Sequence, residues 1–139
     1  MDGYSIDIEK ATLNNTYYRH VLYTTKQNQI VLMNINPLDD IPCETHNNIT
    51  QFIRIESGQG EAKIGKNIYQ LKDGVAIDIP AGISHQIINT SSTEPLKLYS
   101  IYSPPEHPDK LIQIQKPINK DNNKDSNNNK NKIIYLLLL

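Results

Sequence analysis

The chain has 139 residues, 21% of them charged, and a formal net charge of -1 at pH 7. That length suits one domain with a modest core of its own. The near-balanced charge, with its basic residues scattered, excludes the basic footprint of a nucleic-acid-binding surface or a polybasic membrane patch.

In chain order, Met1–Asp7 lacks the basic segment and following apolar run of a secretory signal. The glycosylation sequons at Asn14, Asn48 and Asn89 are accordingly read as chance matches in an Asn-rich chain. Ser5–Ala11 admits a turn of helix. Tyr18–Thr24 and Gln29–Ile35 are rich in β-branched and aromatic residues and predict strands. Cys43 is the only cysteine, so no internal disulfide forms and a reducing, cytoplasmic setting is expected. Gln51–Glu56 predicts a further strand, with Ser57–Gly60 as a hairpin turn after it. Glu61–Ile64 and Asn67–Leu71 flank Gly65-Lys66 in the same manner. Val75–Ile79 runs from a turn at Lys72–Gly74 to Pro80, and His85–Asn89 and Leu96–Tyr102 follow. Pro104 and Pro105 stop the last long strand. Short strands separated by turns predict an all-β sandwich or barrel.

Residues 119–132 contain no apolar side chain and so have nothing to bury against the entropy of ordering. We therefore divide the chain into a domain at 1–116 and a low-complexity, disordered tail at 117–139. The tail ends in Ile133–Leu139, an apolar run far short of the roughly 20 residues a membrane helix requires. Truncation after Lys116 is expected to leave the domain folded.

The chemistry sits in two segments. Glu44 and His46 are two positions apart, and on a strand alternate residues face the same way. His85 follows a tight Pro80-Ala81-Gly82 turn. If the three converge inside one barrel, two imidazoles and one carboxylate form a donor set for a divalent cation. Arg54 reads first as an outward-facing surface arginine, and would be a substrate-binding anion anchor only if it faced inward. Asn89 is read as bonding backbone in the turn after its strand. The tyrosines are read as packing residues, and His107, among prolines, as a solvated loop residue.

These residues resemble the cupin family. Its second signature reads Gly, five residues, Pro, one, Gly, two, His, three, Asn, and Gly74, Pro80, Gly82, His85 and Asn89 match every fixed position. Its first signature reads His-x-His, three or four residues, Glu, six residues, Gly. Here His46 and Gly58 match, Glu44 stands at the first histidine and Gln51 at the glutamate. The resemblance covers about residues 30–110, with its core between 42 and 103. It implies a small antiparallel jelly-roll β-barrel and metal ligands Glu44, His46, Gln51 and His85, with Gln51 read equally as a group supporting the ligands or as a hydrogen-bond donor to substrate. It also implies one divalent metal ion, and these donors do not choose among Fe, Mn, Zn and Ni.

Two kinds of function follow from the resemblance. One is a metal-dependent oxygenase or isomerase acting on a small polar molecule by Lewis-acid or oxygen chemistry. No separate general base is legible, and Gln51 cannot take a proton. The other is a non-catalytic module that binds a sugar or another small molecule. Cupins commonly pair through edge strands, so a homodimer is the expected protein partner, with Tyr17–Thr25 as the contact strand.

Overall fold

A computed structural model describes residues 1–118. The expected tail, apart from Pro117 and Ile118, and the apolar run at its end lie outside the described residues.

Period-two burial organises the domain. On Leu96–Ser103, residues Leu96, Leu98, Ser100 and Tyr102 are buried while their neighbours are half-buried or exposed. Such alternation puts one face of a strand against a core and the other toward solvent. The elements in order are α1 (Ile8–Asn14), β1 (Arg19–Thr24), β2 (Gln29–Ile35), β3 (Asp40–Glu44), β4 (Thr50–Ser57) and β5 (Gln59–Ile64). They continue with β6 (Asn67–Lys72), β7 (Ala76–Ile79), β8 (His85–Asn89), β9 (Leu96–Ser103) and β10 (Ile112–Gln113). One sheet has the order β10-β1-β2-β9-β4-β7 and the other β3-β8-β5-β6. All their pairings are antiparallel. The core combines Val31, Met33, Ile53, Ile55 and Leu98 of the first sheet with Ile41, Ala62, Leu71 and Ile87 of the second. This is the expected all-β jelly-roll barrel.

The helix forms three residues later than expected because Asp7 caps it. The Asp7 carboxylate accepts from the Lys10 backbone N–H at 3.1 Å, meeting one of the donors a helix start leaves free. At the other end the Lys97 ammonium donates to the carbonyls of Leu13 and Asn15, at 2.9 and 2.8 Å, and ties the helix to β9.

Three local expectations are corrected. Ser57–Gly60 is not a hairpin turn. β4 pairs with β7 and β9, whereas β5 pairs with β6 and β8, so the chain changes sheets at Gly58. Gly58 has φ +97°, and a Cβ there would lie 2.4 Å from the Pro95 carbonyl oxygen, so the crossing admits only glycine. The outer side of Tyr17–Thr25 is covered from Tyr18 to Val21. β10 pairs with Arg19 and His20, the Val21 N–H donates to the Leu111 carbonyl at 2.9 Å, and Tyr4 stacks on Tyr23 with ring centroids 4.8 Å apart. The two residues of β10 are too few to show in a sequence pattern. Finally, His46 does not share a strand with Glu44. A bulge between Ile41 and Glu44 interrupts the β3–β8 pairing, β3 ends at Glu44, and His46 stands in the following turn.

Among the described residues, no helix is long and apolar enough to cross a membrane.

Candidate metal centre

Glu44 and His85 are cross-strand partners in the β3–β8 ladder, so their side chains leave the sheet on the same face. His46 reaches them from the turn after β3. Its backbone carbonyl accepts the Gly82 N–H at 2.8 Å. Gly82 has φ +84°, the left-handed conformation that glycine adopts without strain. The second segment's turn thus fixes the first segment's histidine.

One donor atom each from Glu44, His46 and His85 lies within 4.8 Å of the other two. The Glu44 Oε1 is 3.2 Å from His46 Nε2 and 3.6 Å from His85 Nε2, and the two rings are 5.2 Å apart. His85 Nδ1 lies 2.9 Å from the Ile83 carbonyl oxygen. Only a protonated Nδ1 can donate there, which leaves the Nε2 lone pair facing Glu44 and His46. Both Nε2 atoms are buried without a hydrogen-bond partner. Buried polar atoms are rarely left so. Two orphaned imidazole nitrogens around one carboxylate oxygen are what a bound cation would satisfy, so the residues present fit a divalent metal.

In the metal-free cluster the electrostatics favour the charged forms of Glu44 and His85. Burial alone would raise the Glu44 carboxyl, but contact with His85 and the charges of His46, His85 and Arg19 hold it below the ordinary glutamate range. Burial alone would lower His85, yet Glu44 and the Ile83 carbonyl hold it above the ordinary histidine range.

Gln51 projects from β4 toward Tyr102, the ring that packs on His46. It is 1% exposed and pairs in register with Tyr102 of β9. Its amide nitrogen donates to the Ser100 hydroxyl at 3.2 Å and the Tyr102 hydroxyl at 3.1 Å. The amide oxygen is buried with no partner. The Tyr102 ring stands edge-on to His46, with centroids 5.9 Å apart. Arg54 is not brought to this cluster. It lies on the face of β4 opposite Gln51 and Ile53, and its Nε is 3.3 Å from a Glu56 carboxylate oxygen.

Several neighbours escaped the sequence reading. His107 is no solvated loop residue. Its ring packs edge-on against Tyr102 at 5.1 Å, its Nε2 is buried, and burial first, then the Arg19 charge, pushes its pKa down to about 3. Gln29, fully buried, pins this segment. Its amide oxygen accepts the N–H groups of Glu106 and His107, at 3.3 and 3.0 Å, and its amide nitrogen donates to the His107 carbonyl at 2.7 Å. Glu106 is thereby held with a carboxylate oxygen 3.6 Å from His46 Nδ1. A carboxylate behind a ligating histidine orients the ring and raises its basicity. Glu106→Gln is expected to weaken metal binding roughly 10-fold, within the range for such partners, measured by titration calorimetry. Unchanged affinity would show that Glu106 does not act through His46. The only clue in the sequence was an acidic residue and a histidine adjacent after the proline pair.

The cupin-domain family model (Cupin_2) matches residues 31–102. The chain belongs to the cupin family. It is 46% identical over 117 residues to "Uncharacterized protein L612" of Acanthamoeba polyphaga mimivirus, across 82% of this chain and 73% of that protein. It is also 46% identical over 112 residues to "Uncharacterized protein YrkC" of Bacillus subtilis, across 74% of this chain. The match spans 58% of the length of YrkC. The crystal structure of BH2720 from Bacillus halodurans superposes with a TM-score of 0.79 at 37% identity, covering 81% of this chain and 89% of that one.

Proposed function

We propose that Glu44, His46 and His85 hold one divalent cation, with the Gln51 amide oxygen as a neutral fourth donor. The protein then acts on a small polar molecule at that centre. What supports this most is the pair of buried, unpartnered Nε2 atoms facing one carboxylate oxygen. A cation in this donor set would serve as a Lewis acid for a substrate oxygen or, as Fe(II), support oxygen chemistry. The chain's own part is positional. His85 is held in one tautomer by Ile83, Gln51 is clamped by two hydroxyls, and Tyr102 keeps its proton because burial raises its pKa.

Metal analysis of protein purified without added metal tests the reading. It predicts about one Fe, Mn, Zn or Ni per chain. Absence of metal, together with no uptake on incubation with each ion, would overturn it.

A second reading is a non-catalytic module for a small molecule or sugar. Gln51 supports it, because an amide cannot move a proton and its nitrogen is already committed to Ser100 and Tyr102. Oxygen consumption with catechols and enediols, and turnover of sugars and keto acids, separate the two. Activity on any of them selects the enzyme, and silence on all of them selects the module.

The same proposal takes residues 1–116 as the folding unit, supported by the Lys116 ammonium bridging Asp39, at 2.6 Å, and Asp40. It includes cytoplasmic residence and a homodimer. Among the described strands, β3, β6, β7 and β10 are the outermost of their sheets, and such pairing would use one of these edges.

A further inference from the structure

Arg19 is a buried cation that metal binding does not explain. The residue is 8% exposed. On β1 it alternates with Val21 and pairs across to Met33 of β2, both core residues, so it lies on the barrel-facing side of the sheet. Its Nη1 donates to the Gln113 amide oxygen, and its Cζ stands 5.1 Å from the Tyr18 ring centroid. Its Nε is buried with no partner. The ion pairs found among the described residues involve Arg54, Lys116 and the two site histidines, and none involves Arg19.

A guanidinium does not escape burial by losing its proton. An aromatic face and one amide oxygen compensate it only in part, and a buried charge without a counter-ion is costly. Such a group is retained where an anion completes its donors. The guanidinium fork matches the two oxygens of a carboxylate. Its charge also reaches the metal cluster, since it acts on Glu44, Tyr102 and His107. Glu44 and Glu106 already make that region acidic, which admits a singly charged carboxylate more readily than a phosphate dianion.

We propose that Arg19 anchors the carboxylate of a small organic acid whose other polar groups lie at the Glu44–His46–His85 cluster. The second half of this statement rests on the metal reading, and the anion site itself does not.

The test compares lactate with its uncharged twin lactamide and with inorganic phosphate. Wild-type protein and Arg19→Met are titrated with each, with and without Mn²⁺. Lactate is expected to bind wild type at least 10-fold more tightly than Arg19→Met, and more tightly than lactamide or phosphate. Mn²⁺ should still bind Arg19→Met at one ion per chain, because Arg19 is not a ligand and its charge only modulates Glu44. Loss of Mn²⁺ binding in both, with lactate discrimination intact, would remove the metal reading and leave the anion site. Should Arg19→Met not fold, the wild-type Arg19 Nε–H resonance is followed instead, and it is expected to shift with lactate but not with lactamide. Equal lactate binding in the two proteins overturns the proposal, as does no lactate binding to wild type. Phosphate binding as tight as lactate binding overturns the carboxylate assignment.

Discussion

Replacing His85 by alanine is expected to abolish tight metal binding, and replacing His46 by alanine to do the same. Losing a residue that only orients a ligand typically costs 10- to 100-fold in metal affinity, so losing one of three strong donors should cost more than about 100-fold. Cys43→Ala should leave the metal in place, since Cys43 is exposed and its sulfur faces the Ser84 hydroxyl at 3.1 Å. The pH dependence has a definite sign. A metal needs the neutral imidazole, and in the metal-free protein Glu44 and Ile83, working against burial, hold the His85 pKa above the ordinary histidine range. Protons therefore compete from a higher pH than at a free imidazole, and affinity falls as pH drops through that range. Titrations across pH with both alanine variants check these points. Full metal content in the double histidine variant would overturn the ligand set.

Asn89→Ala is expected to be among the most destabilising single changes outside the Glu44–His46–His85 cluster. Asn89 is 1% exposed and joins three backbone segments. Its amide nitrogen donates to the carbonyls of Ile35 and Glu94, at 3.0 and 2.9 Å, and its oxygen accepts the Ser91 N–H at 2.9 Å. Alanine leaves those groups without a partner where water is scarce. An unsatisfied buried group costs about 1–3 kcal/mol, so a loss on the order of 3 kcal/mol is expected. In a domain of this size that lowers Tm by roughly 10 °C. Asn89→Asp is no rescue, because it keeps the acceptor, loses both donated bonds and adds a buried charge. Urea denaturation measures the change, and a loss below about 1 kcal/mol would show that water replaces the amide.

Asn89 also shows why much of this fold was legible. A fixed spacing of Gly, Pro, Gly, His and Asn encodes a local turn and a local backbone bridge, both set by neighbouring residues. Strands β2 and β8 were readable to the residue, since β-branched runs bounded by turn residues carry their own period. What escaped depends on distant partners. Nothing within Ser57–Gly60 tells a hairpin from a sheet crossing, because the difference lies in which strands β4 and β5 pair with. The convergence of Glu44, His46 and His85 was anticipated, but for an incomplete reason. Glu44 and His46 meet through a turn held by Gly82 rather than through strand alternation. His107 and Arg19 were missed because burial, not residue type, gives them their properties. His107 is buried by a segment that Gln29 pins from 78 residues away.

The most direct test is a crystal of the protein grown with Mn²⁺ and measured at the manganese absorption edge. The proposal predicts one anomalous peak per chain, about 2.0–2.4 Å from a Glu44 carboxylate oxygen and from Nε2 of both His46 and His85. A peak elsewhere, or none between these three side chains at saturating Mn²⁺, would contradict it.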